Sequence, residues 1–299
     1  MNRRSFLATG AALAATPAAM AASRQPSDKR FGMHFAPHFG MFRAHAGDDP
    51  VEQLKFAADV GFTAWEDNNM MGRTMEDQER IATAMAELDM RMGVFVLNPT
   101  TAWGSTFSRN DEADRDTFIN EVKAGIEVAE RVNAKWMTVV LGKREPNFDI
   151  GYQTAYAVDQ LRAAATLLEP KGLVMVLEPL NPRNHPSMLL AKMSHAFEIC
   201  RAVNSDSCKI LCDLYHQQVT EGDLIENARR SWSEIGYFQI GDNPGRNEPT
   251  TGEVNYLKVF EFIKSQGFTG ILGMEHGNSK SGIEGEEAVI AAYRACDPA

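Results

Sequence analysis

Four oxygen-bearing side chains in the second half of the chain, Glu178, Asp213, Gln239 and Glu275, recur at intervals of 35, 26 and 36 residues. Each closes a short apolar run: Val176-Leu177-Glu178, Leu211-Cys212-Asp213, Phe238-Gln239 and Gly273-Met274-Glu275. If those runs are strands, residues two apart share a face, so Glu178 lies on the side of Val174 and Val176, and the other three follow the same parity. Three carboxylates brought to one spot repel one another unless protons or a cation intervene. Oxygen ligands from Glu, Asp and Gln suit a hard divalent ion, Mg2+ or Mn2+, better than zinc or copper. Any one of these residues could equally be a solvated group at a strand end. Four at successive strand ends argue for a metal, because a buried acid without a partner is costly.

Further candidates lie near these four. His216, three residues after Asp213, is placed to bind a substrate oxygen or to assist proton transfer. Arg246, in a Gly- and Pro-rich stretch, could clamp a substrate carboxylate or hydroxyl. Glu248 is grouped with it as a substrate-binding candidate, the alternative being a surface ion pair between the two. Lys143 is a cationic candidate beside Arg144, against the plainer reading of a solvated loop pair. Trp65 with Glu66, and Trp103 with Phe107, read as pocket wall, lid or packing. His34 and His38 are candidates for lining the mouth.

The elements that must hold these side chains follow one rhythm. Runs rich in Val, Ile, Phe and Met predict strands near 31–36, 62–66, 91–97, 135–141, 173–178, 208–213, 235–240 and 270–275. Amphipathic stretches predict helices at about 50–60, 74–89, 112–133, 152–169, 187–203, 222–231, 255–266 and 283–295. Asp49 before Pro50 marks a helix start, and Gly61, Gly172 and Gly267 stand where helices should stop. Strand and helix in alternation call for a parallel α/β sheet, and eight such units fit a (β/α)8 barrel, the TIM barrel, in one domain over residues 22–299. Active sites of that fold lie where strands end, which is where the four candidates stand.

Composition narrows the function classes. The 299 residues are 44% hydrophobic and 23% charged, an ordinary globular balance. Residues 1–21 carry Arg3 and Arg4 and no acid, so setting them aside moves the formal charge from −10 to −12. Such a surface repels phosphate backbones, so no nucleic-acid partner is expected. Asn2-Arg3-Arg4-Ser5-Phe6-Leu7, the alanine-rich Ala8 to Ala22 stretch and a small-x-small site at Ala19-Met20-Ala21 resemble a twin-arginine export signal, with a periplasmic destination and no stable membrane insertion after processing. The four cysteines form no CxxC pair, which argues against a structural zinc. Cys208 and Cys212 would stand roughly 13 Å apart on a strand, beyond disulfide reach. A Cys200–Cys208 bridge is left open beside buried free thiols.

The motifs Leu177-Glu178-Pro179-Leu180-Asn181, Asp213-Leu214-Tyr215-His216-Gln217 and Phe238-Gln239-Ile240 resemble the hydroxypyruvate isomerase family, within the larger xylose isomerase-like barrels. So do Pro244-Gly245-Arg246-Asn247-Glu248-Pro249 and Gly252-Glu253-Val254-Asn255-Tyr256. The resemblance runs from about residue 130 to 280; residues 68–73 and 98–110 do not follow it. It implies metal ligation by Glu178, Asp213, Gln239 and Glu275, with Glu178 and Glu275 as the acid/base pair of an isomerase acting on a small hydroxy-carbonyl compound. One carboxylate would remove a proton from the hydroxyl-bearing carbon and the other return one to its neighbour, through an enediolate. The same residues could serve a ketose 3-epimerase or a keto-sugar dehydratase, although family epimerases would carry His where Gln239 stands. An exported sugar-binding protein without turnover is the alternative of a different class. The implied partner is a small-molecule hydroxy-keto acid or sugar, and homo-oligomerisation is left open.

Overall fold

The computed structural model describes residues 30–298, so the proposed export signal lies outside the described residues. In chain order the regular elements are β1 (His34–Ala36), α1 (Arg43–Ala46), α2 (Pro50–Val60), β2 (Ala64–Trp65), α3 (Met75–Glu87), β3 (Arg91–Met92), α4 (Glu112–Val132) and β4 (Trp136–Val139). Then come α5 (Ile150–Leu168), β5 (Val174–Leu177), α6 (Met193–Val203), β6 (Cys208–Asp213), α7 (Leu214–Thr220), α8 (Leu224–Ser231), β7 (Ile235–Gln239), α9 (Tyr256–Ser265), β8 (Ile271–Gly273) and α10 (Gly282–Cys296). Short 3-10 turns fill several of the connections.

Six strands form one parallel sheet in the order β1-β8-β7-β6-β5-β4, and β2 pairs with β3. The ring closes through thinner contacts. Glu66 N–H donates to Pro37 C=O at 2.9 Å, joining β2 to the end of β1. Leu97 N–H donates to Thr138 C=O at 2.9 Å and Thr138 N–H to Phe95 C=O at 2.8 Å, joining the β3 segment to β4. The result is the eight-stranded parallel barrel that the alternation of elements predicts. Its interior is filled by Ala36, Ala64, Val94, Val174, Val176, Leu211, Tyr237 and Ile271, and a larger apolar layer lies between strands and helices. Val174 and Val176 thus face inward, as the parity argument requires.

The helix boundaries have local causes. The Asp49 carboxylate accepts from Val51 N–H at 2.7 Å and caps α2 ahead of Pro50, while Gly61 ends that helix at φ +112°. Two differences from the expected elements stand out. Helix α6 starts at Met193 rather than near 187, because the segment before it is held as loop: Ser187 sits at φ +68° and Leu189 N–H donates to Gly142 C=O at 2.8 Å. Helix α7 has no counterpart among the expected helices; it begins at once because Asp213, the last residue of β6, serves as its N-cap. No helix among the described residues is long and apolar enough to cross a membrane, and all four cysteines are buried free thiols.

Candidate metal centre

Asp213 belongs to a strand and a helix at once. Its Oδ1 accepts from Tyr215 N–H at 2.7 Å and His216 N–H at 3.1 Å, the usual bonding of an N-cap, while Oδ2 turns to the Arg246 side chain. The first turn of α7 then places His216 beside its own cap, with Nε2 3.6 Å from Asp213 Oδ2 and 3.7 Å from Glu178 Oε1. Glu178 is buried at the end of β5, its N–H bonded to Val139 C=O at 3.1 Å. Glu275, two residues beyond β8, has a side chain that is 26% exposed and so faces the mouth. Its Oε1 accepts from Asn68 Nδ2 at 2.8 Å. Glu178, Asp213, His216 and Glu275 each present one ligand atom within 4.8 Å of the others.

Electrostatics in this cluster pull in opposite directions. Burial pushes the Glu178 carboxyl well above the usual carboxylate range, and Glu275 and Asp213 add to the shift. Burial pushes Glu275 up to about 7, with Arg246 opposing and Asp213 reinforcing. Asp213 feels the same upward push from burial, but His216, Arg246 and the helix N–H together hold it below its ordinary value. His216 falls to about 4, chiefly through burial, and is neutral near pH 7.

Its tautomer follows from its neighbours. Asn181 N–H donates to His216 Nδ1 at 3.2 Å, and Asn181 Nδ2 lies 2.6 Å from the same atom while Asn181 Oδ1 is engaged by Asn184 N–H. With Nδ1 accepting, the single proton of the neutral ring sits on Nε2. That nitrogen faces the site, beside Asp213 Oδ2, Glu178 Oε1 and Arg246 Nη2. Gln239 offers a further oxygen on the neighbouring strand. It ends β7 in register with Asp213 and Gly273, and its Oε1 is buried and accepts no hydrogen bond. Three carboxylates and one free amide oxygen fit a hard divalent ion.

Arg246 meets this cluster from the turn after β7, at φ +53°. Its Nη2 bonds to Glu275 Oε2, stands 3.3 Å from Asp213 Oδ2, and its guanidinium lies 5.0 Å over the Tyr215 ring. Glu248 is not brought in. Both of its carboxylate oxygens are taken by Ser279, whose N–H donates at 2.9 Å and whose hydroxyl donates to the other oxygen. The turn at Arg246 sends the two residues opposite ways, so neither a shared substrate site nor an Arg246–Glu248 pair forms. Lys143 also stands outside the cluster: its side chain is exposed, and its backbone links to Gly104 and Ser108.

The remaining candidates divide between core and mouth. Trp65 and Phe107 are core residues, packed on Phe39 and Phe118. Trp103 is 53% exposed and stacks on His185. His34 bonds Thr63 Oγ1 at 2.7 Å, and the His38 ring bridges the carbonyls of Phe39 and His276. Glu66 is more than pocket wall. It lies wholly buried inside the barrel, where its Oε2 accepts from Tyr237 OH at 3.1 Å and burial pushes its carboxyl well upward. The strand-end rule that selects the other four selects Glu66 too, since it closes the second apolar run. Asn68, which steadies Glu275, carries no sequence signal of its own. A cavity of about 190 Å3, lined by His38, Phe39, Glu66, Asp67, Asn68, Asn69 and Glu275, opens beside the cluster.

Comparison with known proteins places this geometry among relatives. Residues 54–296 match the family described as xylose isomerase-like TIM barrel. The chain is 33% identical over 162 residues to hydroxypyruvate isomerase of Escherichia coli (strain K12), a match covering 54% of this chain and 62% of that protein's length. It is 27% identical over 243 residues to 2-oxo-tetronate isomerase of Pectobacterium atrosepticum, covering 78% of this chain and 89% of that one. A solved structure from Brucella melitensis described as an AP endonuclease of family 2 superposes with a TM-score of 0.73 at 21% identity, over 87% of this chain and 96% of that chain, which speaks to the fold.

Proposed function

The chain belongs to the xylose isomerase-like TIM barrel family, and we propose that it is a divalent-metal-dependent isomerase of a small hydroxy-carbonyl compound such as hydroxypyruvate or a related keto-sugar. The observation that carries the reading is the convergence of Glu178, Asp213 and Glu275 on one point, beside the free amide oxygen of Gln239. These four would hold Mg2+ or Mn2+. The bound ion would stabilise negative charge developing on two adjacent substrate oxygens.

The protein's own groups do the rest. Glu178 and Glu275 approach the same point from the ends of β5 and β8, and burial raises both toward the pH at which a carboxylate exchanges protons efficiently. One takes the proton from the hydroxyl-bearing carbon, the electron pair moves into an enediolate, and the other delivers a proton to the neighbouring carbon; nothing is oxidised or reduced overall. His216 Nε2–H donates to a substrate oxygen. Arg246 balances the carboxylates and offers a donor to a substrate carboxylate or hydroxyl.

The test is a screen of the metal-loaded protein against hydroxypyruvate, tartronate semialdehyde and keto-sugars, with products and solvent-deuterium incorporation read by NMR. Metal-dependent incorporation is expected. Tight binding of a screened compound with neither exchange nor product would make the protein a binder. Export is part of the same proposal and rests on Arg3-Arg4 and the alanine-rich stretch. Replacing both arginines by lysine should trap unprocessed chain in the cytoplasm, and mass spectrometry of the exported form should show a start near Ala22. Exported protein that still begins at Met1 speaks against it.

A further inference from the structure

An amide has two ends, and only the carbonyl oxygen can bind a cation. Which end of Gln239 faces the cluster is decided by its neighbour. Gln239 Nε2 donates to Glu66 Oε1 at 3.4 Å, and the other oxygen of Glu66 already takes the Tyr237 hydroxyl at 3.1 Å. Both oxygens of Glu66 accept in this arrangement, with the Tyr237 hydroxyl and the Gln239 amide each turning a hydrogen toward it. With Nε2 engaged there, Gln239 Oε1 projects to the far side of the amide, where it is buried and accepts nothing. The barrel makes room for this arrangement with two glycines. A Cβ at Gly273 would collide with the Glu66 carboxylate, and one at Gly93 would collide with the Tyr237 hydroxyl.

We infer that Glu66 is a positioning residue of the metal centre: it orients the Gln239 amide so that its oxygen, and not its nitrogen, meets the ion. The inference rests on the reading of Gln239 as a ligand. Holding a ligand in one orientation spares the centre the cost of selecting it at each binding event, and loss of such a supporting partner typically weakens metal affinity about 10–100-fold.

Two conservative variants separate orientation from charge. Glu66→Gln keeps the reach and an acceptor for Gln239 Nε2 but removes the negative charge, and its own NH2 can donate to the Tyr237 oxygen. Glu66→Asp keeps the charge but withdraws the acceptor by one methylene. Each is stripped of metal, checked for fold by circular dichroism and melting temperature, and titrated with Mn2+ by calorimetry. The expected result is near-wild-type affinity for Glu66→Gln and a loss of about 10–100-fold for Glu66→Asp. The reverse order would make Glu66 a source of field alone and overturn the inference, as would wild-type affinity in both. Failure of the wild-type protein to bind Mn2+ would instead remove the metal reading itself.

Discussion

Glu275 is given two tasks, holding the ion and carrying a proton, and substitution separates them. Glu275→Gln keeps the size and one carbonyl oxygen, but an amide exchanges no proton near neutral pH. Turnover should fall about 10²–10⁴-fold, the range for a lost general acid or base, at saturating metal. Asp213→Asn behaves differently for a local reason. Asn is as good an N-cap as Asp, so α7 and His216 should stay in place while the ion loses a charged ligand. Part of its lost activity should return at high Mg2+ or Mn2+. Wild-type exchange of the substrate proton with deuterated solvent in Glu275→Gln would remove Glu275 from the mechanism.

Strand β8 shows how one residue without a side chain shapes the site. Gly273 lies between Leu272 and Met274, both fully buried, and faces the Glu66 carboxylate so closely that a single methyl would strike it. Its backbone is not in the left-handed region, so alanine is excluded by space and not by conformation. Gly273→Ala should therefore cost roughly 1–3 kcal/mol, as overpacked cores do, and should push Glu66 away from Gln239. Thermal denaturation of the metal-free protein measures the cost. An unchanged melting temperature would mean that Glu66 has another resting place inside the barrel.

At the scale of the whole molecule, the docking of the β8 end against α10 makes stability depend on pH. His276 is buried there. Its Nδ1 lies 2.8 Å from Gly277 C=O and its Nε2 2.9 Å from the Tyr293 hydroxyl, so the neutral ring is fully satisfied by donating to the first and accepting from the second. Burial drops its pKa to about 3. Below its ordinary value of 6.5 the unfolded chain binds a proton that the folded chain does not, so this contribution is complete above pH 6.5 and is lost as pH falls toward 3. The destabilisation caused by His276→Gln should be largest near pH 7.5 and should shrink by roughly 2 kcal/mol between pH 6.5 and 5, at about 1.4 kcal/mol per unit. Urea denaturation of both proteins across that range checks it; a constant difference would show that His276 protonates in the folded state.

The alternation of strand and helix that implies the barrel class, and the strand-end acids, are legible in the linear sequence because each rests on a short-range pattern. A period of two tells which face Glu178 shares with Val174 and Val176, and one strand–helix unit spans each gap between the candidate ligands. The contacts that turn those acids into a site are not of that kind. Asn68 reaches Glu275 across 207 residues and Glu66 reaches Gln239 across 173, and no local pattern encodes such pairs. Nearness in sequence even misleads. Glu248 stands two residues from Arg246, yet the left-handed turn at Arg246 gives Glu248 to Ser279 and Arg246 to Asp213 and Glu275. The proton on His216 and the direction of the Gln239 amide are set by hydrogen-bond partners on other elements. Composition and periodicity therefore determined where the reactive groups end up, while tertiary packing decided which atom of each faces the centre, because orientation depends on neighbours that only folding supplies.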